Sequence, residues 1–180
     1  MKRGKLYGCL SSIVVFVLVN AGSARADDIS GTITSTLTVF SSSRLAGDVT
    51  CKVTGAPCIV IQNTFAFAGV SVTLDLNGFT ITGQADPQLA CSAGGANGNE
   101  IGILVSGQNG VVIRGPGVVQ SFRGFGIDLL NTSSSSVTGV TAASNCFSGI
   151  FLTGGSATNN VVEGNISIRN GNLTNPCGGI

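Results

Sequence analysis

Three charged residues come near one another when the sequence is aligned on its recurring Gly-Ile pairs. Glu100 lies three residues before Ile103, Arg123 lies four before Ile127, and Asp128 follows Ile127 directly. If the Gly-Ile pairs begin stacked strands, about 3.3 Å per residue and 4.8 Å per strand place Glu100 and Asp128 roughly 14 Å apart. Paired glycosidase carboxylates lie about 5–9.5 Å apart, so we do not expect this pair to hydrolyse glycosidic bonds. Glu100 and Arg123, roughly 6 Å apart on the same spacing, are predicted to form a surface ion pair.

The same region is the best candidate for ligand contact. The outward positions of the three Gly-Ile strands are Leu104, Asp128 and Phe151, and apolar side chains around a polar group are typical of small-molecule sites. We therefore predict ligand contacts for Leu104, Asp128, Phe151, Glu100 and Arg123, and we identify no catalytic residue. The sequence has no His, its single Met is Met1, and its carboxylates are not clustered as a calcium site needs. No metal and no cofactor are predicted.

These residues are positioned by a repeat of about 24 residues. A Gly-Ile pair recurs at steps of 24, 23 and 30 residues, and an apolar-x-Gly triplet recurs at steps of 37, 24 and 25. The long step of 37 contains the polar stretch 84–99, which is predicted to be an inserted loop. The Gly-Ile pairs start at Gly102, Gly126, Gly149 and Gly179, and the triplets end at Gly78, Gly115, Gly139 and Gly164.

Each repeat holds three short strands separated by turns and lacks the 3.6-residue apolar period of a helix. Such a unit cannot bury its apolar face alone, whereas stacked copies can. The sequence therefore predicts an all-β, single-stranded parallel β-helix (a solenoid) with about four visible coils. Its interior columns would be Ile103, Ile127 and Ile150 on one line and Val105, Leu129 and Leu152 on the next. A β-sandwich is the alternative, but a sandwich does not require a repeating register.

The run from Val72 to Ile81, the Gly-Ile strands and the Asn-rich turns resemble the right-handed parallel β-helix repeat proteins. These are the pectate-lyase-like proteins, which include the NosD-type periplasmic family. The resemblance covers about residues 57–180 and implies the right-handed fold. It implies no single activity, because that superfamily contains polysaccharide lyases, hydrolases, epimerases and adhesins.

The N-terminal residues predict export. Residues 1–26 have a basic start, a short apolar core and an Ala-Arg-Ala ending, which together are typical of a signal peptide cleaved near Ala26. Residues 27–56 are predicted to cap the stack, with a strand over 32–40, and residues 57–180 to form the repeats. Because Ile180 begins a new strand, we expect the repeats to be truncated there, or covered through oligomerisation at the open end.

Cleavage would also change the charge. It removes four of nine basic residues and none of eight acidic ones, which leaves a net charge of about −3. This charge argues against nucleic acid as a partner. In the remaining chain the apolar residues are interrupted every few positions by Gly, Ser, Thr and Asn, which is typical of short strands and turns and argues against stable membrane insertion after cleavage.

Five cysteines remain after cleavage, and export permits disulfides. Cys146 and Cys177 precede successive Gly-Ile pairs, so stacking would bring them to one corner and a Cys146–Cys177 bridge is predicted. Cys51–Cys58 is the second predicted bridge, with Cys58–Cys91 as its alternative.

Two functions stay open from the sequence. The first is a non-catalytic extracellular or envelope protein that binds a glycan or forms a surface structure, with polysaccharide as its partner. The second is a polysaccharide-active enzyme whose catalytic residues lie beyond Ile180.

Overall fold

The described part of the chain is built of β-strands alone. The computed structural model describes residues 27–64, 69–85 and 95–171, where fifteen strands and no helix occur. In these ranges there is accordingly no helix with the length and apolarity needed to cross a membrane. The first six strands are β1 (Asp27–Ile33), β2 (Leu37–Val39), β3 (Ser43–Cys51), β4 (Ile59–Ile61), β5 (Val72–Asp75) and β6 (Thr80–Thr82). The others are β7 (Ile103–Ser106), β8 (Val111–Arg114), β9 (Val118–Gln120), β10 (Ile127–Leu130), β11 (Ser136–Thr138), β12 (Thr141–Ala143), β13 (Ile150–Thr153), β14 (Val161–Glu163) and β15 (Ile166–Ile168).

All pairings between these strands are parallel. One sheet has the order β13-β10-β7-β4-β2, and a larger one has the order β14-β11-β8-β5-β3-β6-β9-β12-β15, with β1 beside β3. Strand β3 belongs to two columns, because its first residues pair with β5 and its last with β6. The molecule is thus all-β, with parallel strands in curled sheets, an arrangement compatible with a parallel β-helix.

Each set of three consecutive strands from β4 onward, here called a strand triplet, pairs with the next along all three columns. Ile127 aligns with Ile103 on one side and Ile150 on the other, as the Gly-Ile spacing predicts. All three side chains are fully buried. Leu152 aligns with Leu129 as expected but is 37% exposed, because β13 is an edge strand of its sheet.

The apolar-x-Gly marker is shifted in the first triplet. Leu74, not Leu76, pairs with Ile113, so the sequence alignment on Gly78 is wrong by two residues. Both leucines are buried, which explains why the pattern alone does not separate them. Gly139 and Gly164 adopt positive φ at their turns, at 66° and 64°. Gly115 differs, since an added Cβ would lie 1.9 Å from the Gly139 carbonyl oxygen, so it is needed for close backbone approach.

Asparagine side chains join the last two triplets at three successive turns. The Oδ1 atoms of Asn160, Asn165 and Asn170 each accept a hydrogen bond from the backbone N–H 25 residues earlier, at 2.9–3.1 Å. Their Nδ2 atoms each donate to the carbonyl 28 residues earlier, at 2.6–2.9 Å. The preceding residue has positive φ in all three cases. Each asparagine thus provides hydrogen-bond partners for a backbone N–H and a backbone carbonyl at the turn of the preceding triplet.

Asn145 continues this pattern one triplet earlier and is completely buried. Its Oδ1 accepts from the Phe122 N–H at 3.1 Å, and its Nδ2 donates to the Val119 carbonyl at 3.2 Å and to Asn170 Oδ1 at 3.0 Å. The two asparagines therefore form a vertical ladder at one turn.

The N-terminal strands and the cysteines bear on two further expectations. The strand predicted over residues 32–40 is two strands, β1 and β2, separated by residues 34–36. Cys51 and Cys58 form a disulfide with Cα atoms 6.0 Å apart, which confirms that prediction over the Cys58–Cys91 alternative. Cys146 is also disulfide-bonded. Cys177 lies outside the described residues, so the predicted Cys146–Cys177 bridge stays a prediction. Cys91 and residues 1–26 lie outside them as well.

Adjacent residues of β8 provide a test of the inward and outward assignment. Ile113 is fully buried, whereas Val112 is partly exposed between Thr73 and Ser136. We expect Ile113→Asp to abolish the folded state, because it places a carboxylate among apolar side chains. Val112→Asp should change the unfolding free energy by less than about 1 kcal/mol. Urea unfolding followed by far-UV circular dichroism measures both, and equal losses would contradict the assignment.

The asparagine ladder gives a second test. We expect Asn145→Ala to lower the unfolding free energy by about 2–3 kcal/mol, because it leaves a buried N–H and a buried carbonyl without their partner. Asn99→Ala, at an exposed position, should cost less than about 0.5 kcal/mol. Thermal and urea unfolding of the two variants measure the difference, and a small effect for Asn145→Ala would exclude a stabilising role for the ladder.

Candidate functional site

A cleft of about 400 Å³ lies over the five-stranded sheet. Two loop segments, 55–57 and 98–99, form one wall, and residues that precede or belong to β7 and β10 form the rest. The latter are Ile101, Leu104, Asp128 and Leu130. Most of these side chains are apolar, so the Asp128 carboxyl is the charged group that lines the cleft.

Asp128 stands between Leu104 and Phe151 in the register of three neighbouring strands. The Gly-Ile register predicts an outward position for this residue, yet Asp128 is only 7% exposed. Loops 55–57 and 98–99 border the same cleft, and the strand pattern alone does not predict their position. Its Oδ1 atom has no hydrogen-bond partner in the described part of the chain. Burial raises the pKa of Asp128 to about 6, since loss of hydration penalises the charged form.

Glu100 holds the wall of the cleft together. Its Oε1 accepts hydrogen bonds from the Gly55 N–H at 3.0 Å and from Asn97 Nδ2 at 3.2 Å. Arg123 Nη1 lies 3.3 Å from the same oxygen, and Arg123 Nε donates to the Gly95 carbonyl. One carboxylate thus fastens the loop after β3 to the loop before β7.

The expectation of a surface ion pair between Glu100 and Arg123 is therefore only half correct. The pair forms, but Glu100 is 5% exposed. The physical reason is the inserted stretch before β7, whose residues 95–100 fold back onto Arg123 and shield the pair from solvent. Glu100 and Arg123 support the cleft and are not among the residues that line it.

Three phenylalanines pack beside Asp128. The Phe125 ring stacks on Phe151 at 4.6 Å between centroids and 10° between planes, and it contacts Phe147 at 5.2 Å. All three are partly exposed. Sequence reasoning singles out Phe151 and misses the other two. The signal was present, because Phe125 and Phe147 both come shortly before a Gly-Ile pair.

A second charged column lies on the larger sheet and was also missed. Asp28, Arg44, Asp75 and Arg114 follow one another in register with alternating sign. Arg44 and Arg114 each contact an aspartate at 2.7 Å. Its charges are paired and partly solvated, so this column is a surface ladder and a weak candidate for ligand chemistry. Among the described residues, no three His, Cys, Asp or Glu side chains come together as they would around a metal ion.

The raised pKa of Asp128 predicts a pH-dependent loss of stability. The folded-state pKa, about 6, exceeds the unfolded value of about 3.9, so the native state binds more protons between these values. The contribution of Asp128 to stability is therefore fully present below about pH 3.9 and is lost as the pH rises through about 6. We expect Asp128→Asn to raise the unfolding free energy at pH 8 by about 1–3 kcal/mol, with no gain at pH 4.

Urea unfolding at both pH values measures this difference. Asp75→Asn is the matched control, because Asp75 is paired with Arg114 and its substitution should bring no gain at pH 8. A gain of equal size at both pH values for Asp128→Asn would contradict the desolvation account.

Comparisons of the chain with protein-family models, with curated proteins and with solved structures found no match. The resemblance to the pectate-lyase-like and NosD-type proteins thus rests on the residue pattern and on the parallel strands.

Proposed function

We propose that the protein is a secreted, right-handed parallel β-helix that binds a carbohydrate in the Asp128 cleft. The parallel register of successive strand triplets supports the fold, and the Cys51–Cys58 disulfide is consistent with an extracellular location. The pattern of residues 1–26 supports export.

One observation carries the proposal. Asp128 is a buried carboxyl group without a hydrogen-bond partner for Oδ1, and such a group lowers the stability of the free protein. Buried unpaired polar atoms are rare in folded proteins, and titratable groups with perturbed pKa values concentrate at functional sites. A ligand that donates hydrogen bonds to Asp128 would supply the interaction that the fold leaves out.

The surroundings of Asp128 favour a sugar as that ligand. A sugar ring presents hydroxyl donors at its edge and C–H groups on its faces. Hydroxyls can donate to the carboxyl group, while Leu104, Leu130 and Pro57 offer apolar contact. Phe151 is the register neighbour of Asp128, and its ring stacks on Phe125, so the two rings add apolar surface on that side. The cleft volume, about 400 Å³, falls within the range typical of small-ligand sites, roughly 300–1,000 Å³.

The raised pKa of Asp128 favours a second candidate, cleavage of a polysaccharide. A carboxyl group with a pKa of about 6 remains partly protonated near neutral pH, as a general acid must. Against this, Glu100 already accepts three contacts at Oε1, so it is poorly suited to act as the second carboxylate.

Calorimetric titration of the mature protein with soluble oligosaccharides tests the proposal. We expect binding to at least one member of the panel, and a loss of about 10- to 100-fold in affinity for Asp128→Ala, because a hydrogen bond to a charged group is removed. Asp75→Ala, on the other sheet, should bind like the wild type. Absence of binding across the panel, or full affinity in Asp128→Ala, would refute the assignment, and chromatography of the same mixtures detects any cleavage products.

A further inference from the structure

The charges around the cleft do not balance. The elements that border it are β7, β10 and β13 and the segments 55–57 and 97–100. Their titratable groups are Asp128 and Glu100, and Arg123 reaches this region from the turn before β10. Glu100 and Arg123 contact each other at 3.3 Å, and further donors complete the bonding of Glu100. Among the described residues, Asp128 is left as a carboxylate with no cationic partner.

A neutral sugar would correct only part of this imbalance. A hydroxyl donates a hydrogen bond but leaves the negative charge in an apolar environment, where an uncompensated carboxylate is costly. An ammonium group donates hydrogen bonds and also neutralises the charge. Any hydrogen bond to an ionised carboxylate is stronger than a neutral one, so the two ligands differ in the charge that only the ammonium group compensates.

An acidic sugar fits worst of all. Its carboxylate would meet the Asp128 carboxylate in a poorly hydrated cleft, where like charges disfavour each other strongly. The charge of the chain without residues 1–26, about −3 from five basic and eight acidic residues, acts in the same direction over longer distances.

We propose that the cleft recognises an amino sugar, and that the ammonium group of an unacetylated glucosamine unit pairs with the Asp128 carboxylate against the apolar wall formed by Leu104 and Leu130. This inference rests on the proposed carbohydrate-binding function and narrows its ligand to one chemical class. Glucosamine units bind best, neutral and N-acetylated units bind less well, and uronate units bind least.

Proton linkage follows from the pairing. The ammonium group binds the ionised form of Asp128, so affinity for the amino sugar falls as the pH drops below about 6. Binding of a neutral sugar lacks the ion pair and changes less over the same range. Glu100 and Arg123 are the other charged groups near the cleft, and they pair with each other behind its wall.

The experiment compares four tetrasaccharides, made of glucosamine, N-acetylglucosamine, glucose and glucuronate units, by calorimetric titration at pH 6.5 and pH 5. Spermine is included as an amine without a sugar ring. The expected result at pH 6.5 is at least tenfold tighter binding of the glucosamine oligomer than of the N-acetylated or glucose oligomers. The glucosamine affinity should fall at least threefold at pH 5.

Asp128→Asn, with circular dichroism to check folding, should bring the affinities for the glucosamine, N-acetylglucosamine and glucose oligomers within about threefold of one another. Asp75→Asn should keep the wild-type preference for the glucosamine oligomer. Equal affinities in the wild type, or a preference that survives in Asp128→Asn, would overturn the amino-sugar inference and leave carbohydrate binding intact. Absence of binding to every oligosaccharide would overturn the proposed function itself. If spermine binds as tightly as the glucosamine oligomer, the proposed carbohydrate-binding function is also overturned, because the amine alone is then recognised.

Discussion

The parallel backbone hydrogen bonds between successive strand triplets are the constraint on which the rest of the structure depends. They fix which residues stand above one another across separations of about 24 residues in sequence. The buried isoleucine column, the asparagine ladder and the position of Asp128 between Leu104 and Phe151 all follow from that single register. A shift by one residue would turn every inward side chain outward.

Sequence reasoning recovered the register where an unambiguous marker exists. The Gly-Ile pairs predict the columns of β7, β10 and β13 correctly, because a small residue followed by a β-branched one marks the same strand start each time. The apolar-x-Gly marker failed in the first triplet, where Leu74 and Leu76 are both buried and period-two alternation allows either alignment. The strand positions of Leu104, Asp128 and Phe151 were therefore predictable, whereas the partner of Arg114 was not.

The burial of Glu100 and Asp128 was beyond the reach of a repeat pattern. Segments 55–57 and 95–100 supply contacts to Glu100 and border the cleft at Asp128, and neither segment contains a Gly-Ile pair. Loop conformation of this kind is set by tertiary contacts, here the three contacts of Glu100 Oε1. The strands thus place the ligand-facing side chains, and the irregular segments decide how much water reaches them.

The attachment of the cleft wall to one buried carboxylate has an evolutionary consequence. Residues 97–102 are backbone hydrogen-bonded to residues 123–126 of the next triplet, so the ladder is held at the point where the cleft wall joins it. Glu100 and Arg123 would act as a fixed anchor on which different wall sequences are mounted. The scaffold and the specificity of the cleft can therefore diverge at different rates, because an exposed wall residue such as Asn99 can change while the ladder and the Glu100–Arg123 anchor stay the same.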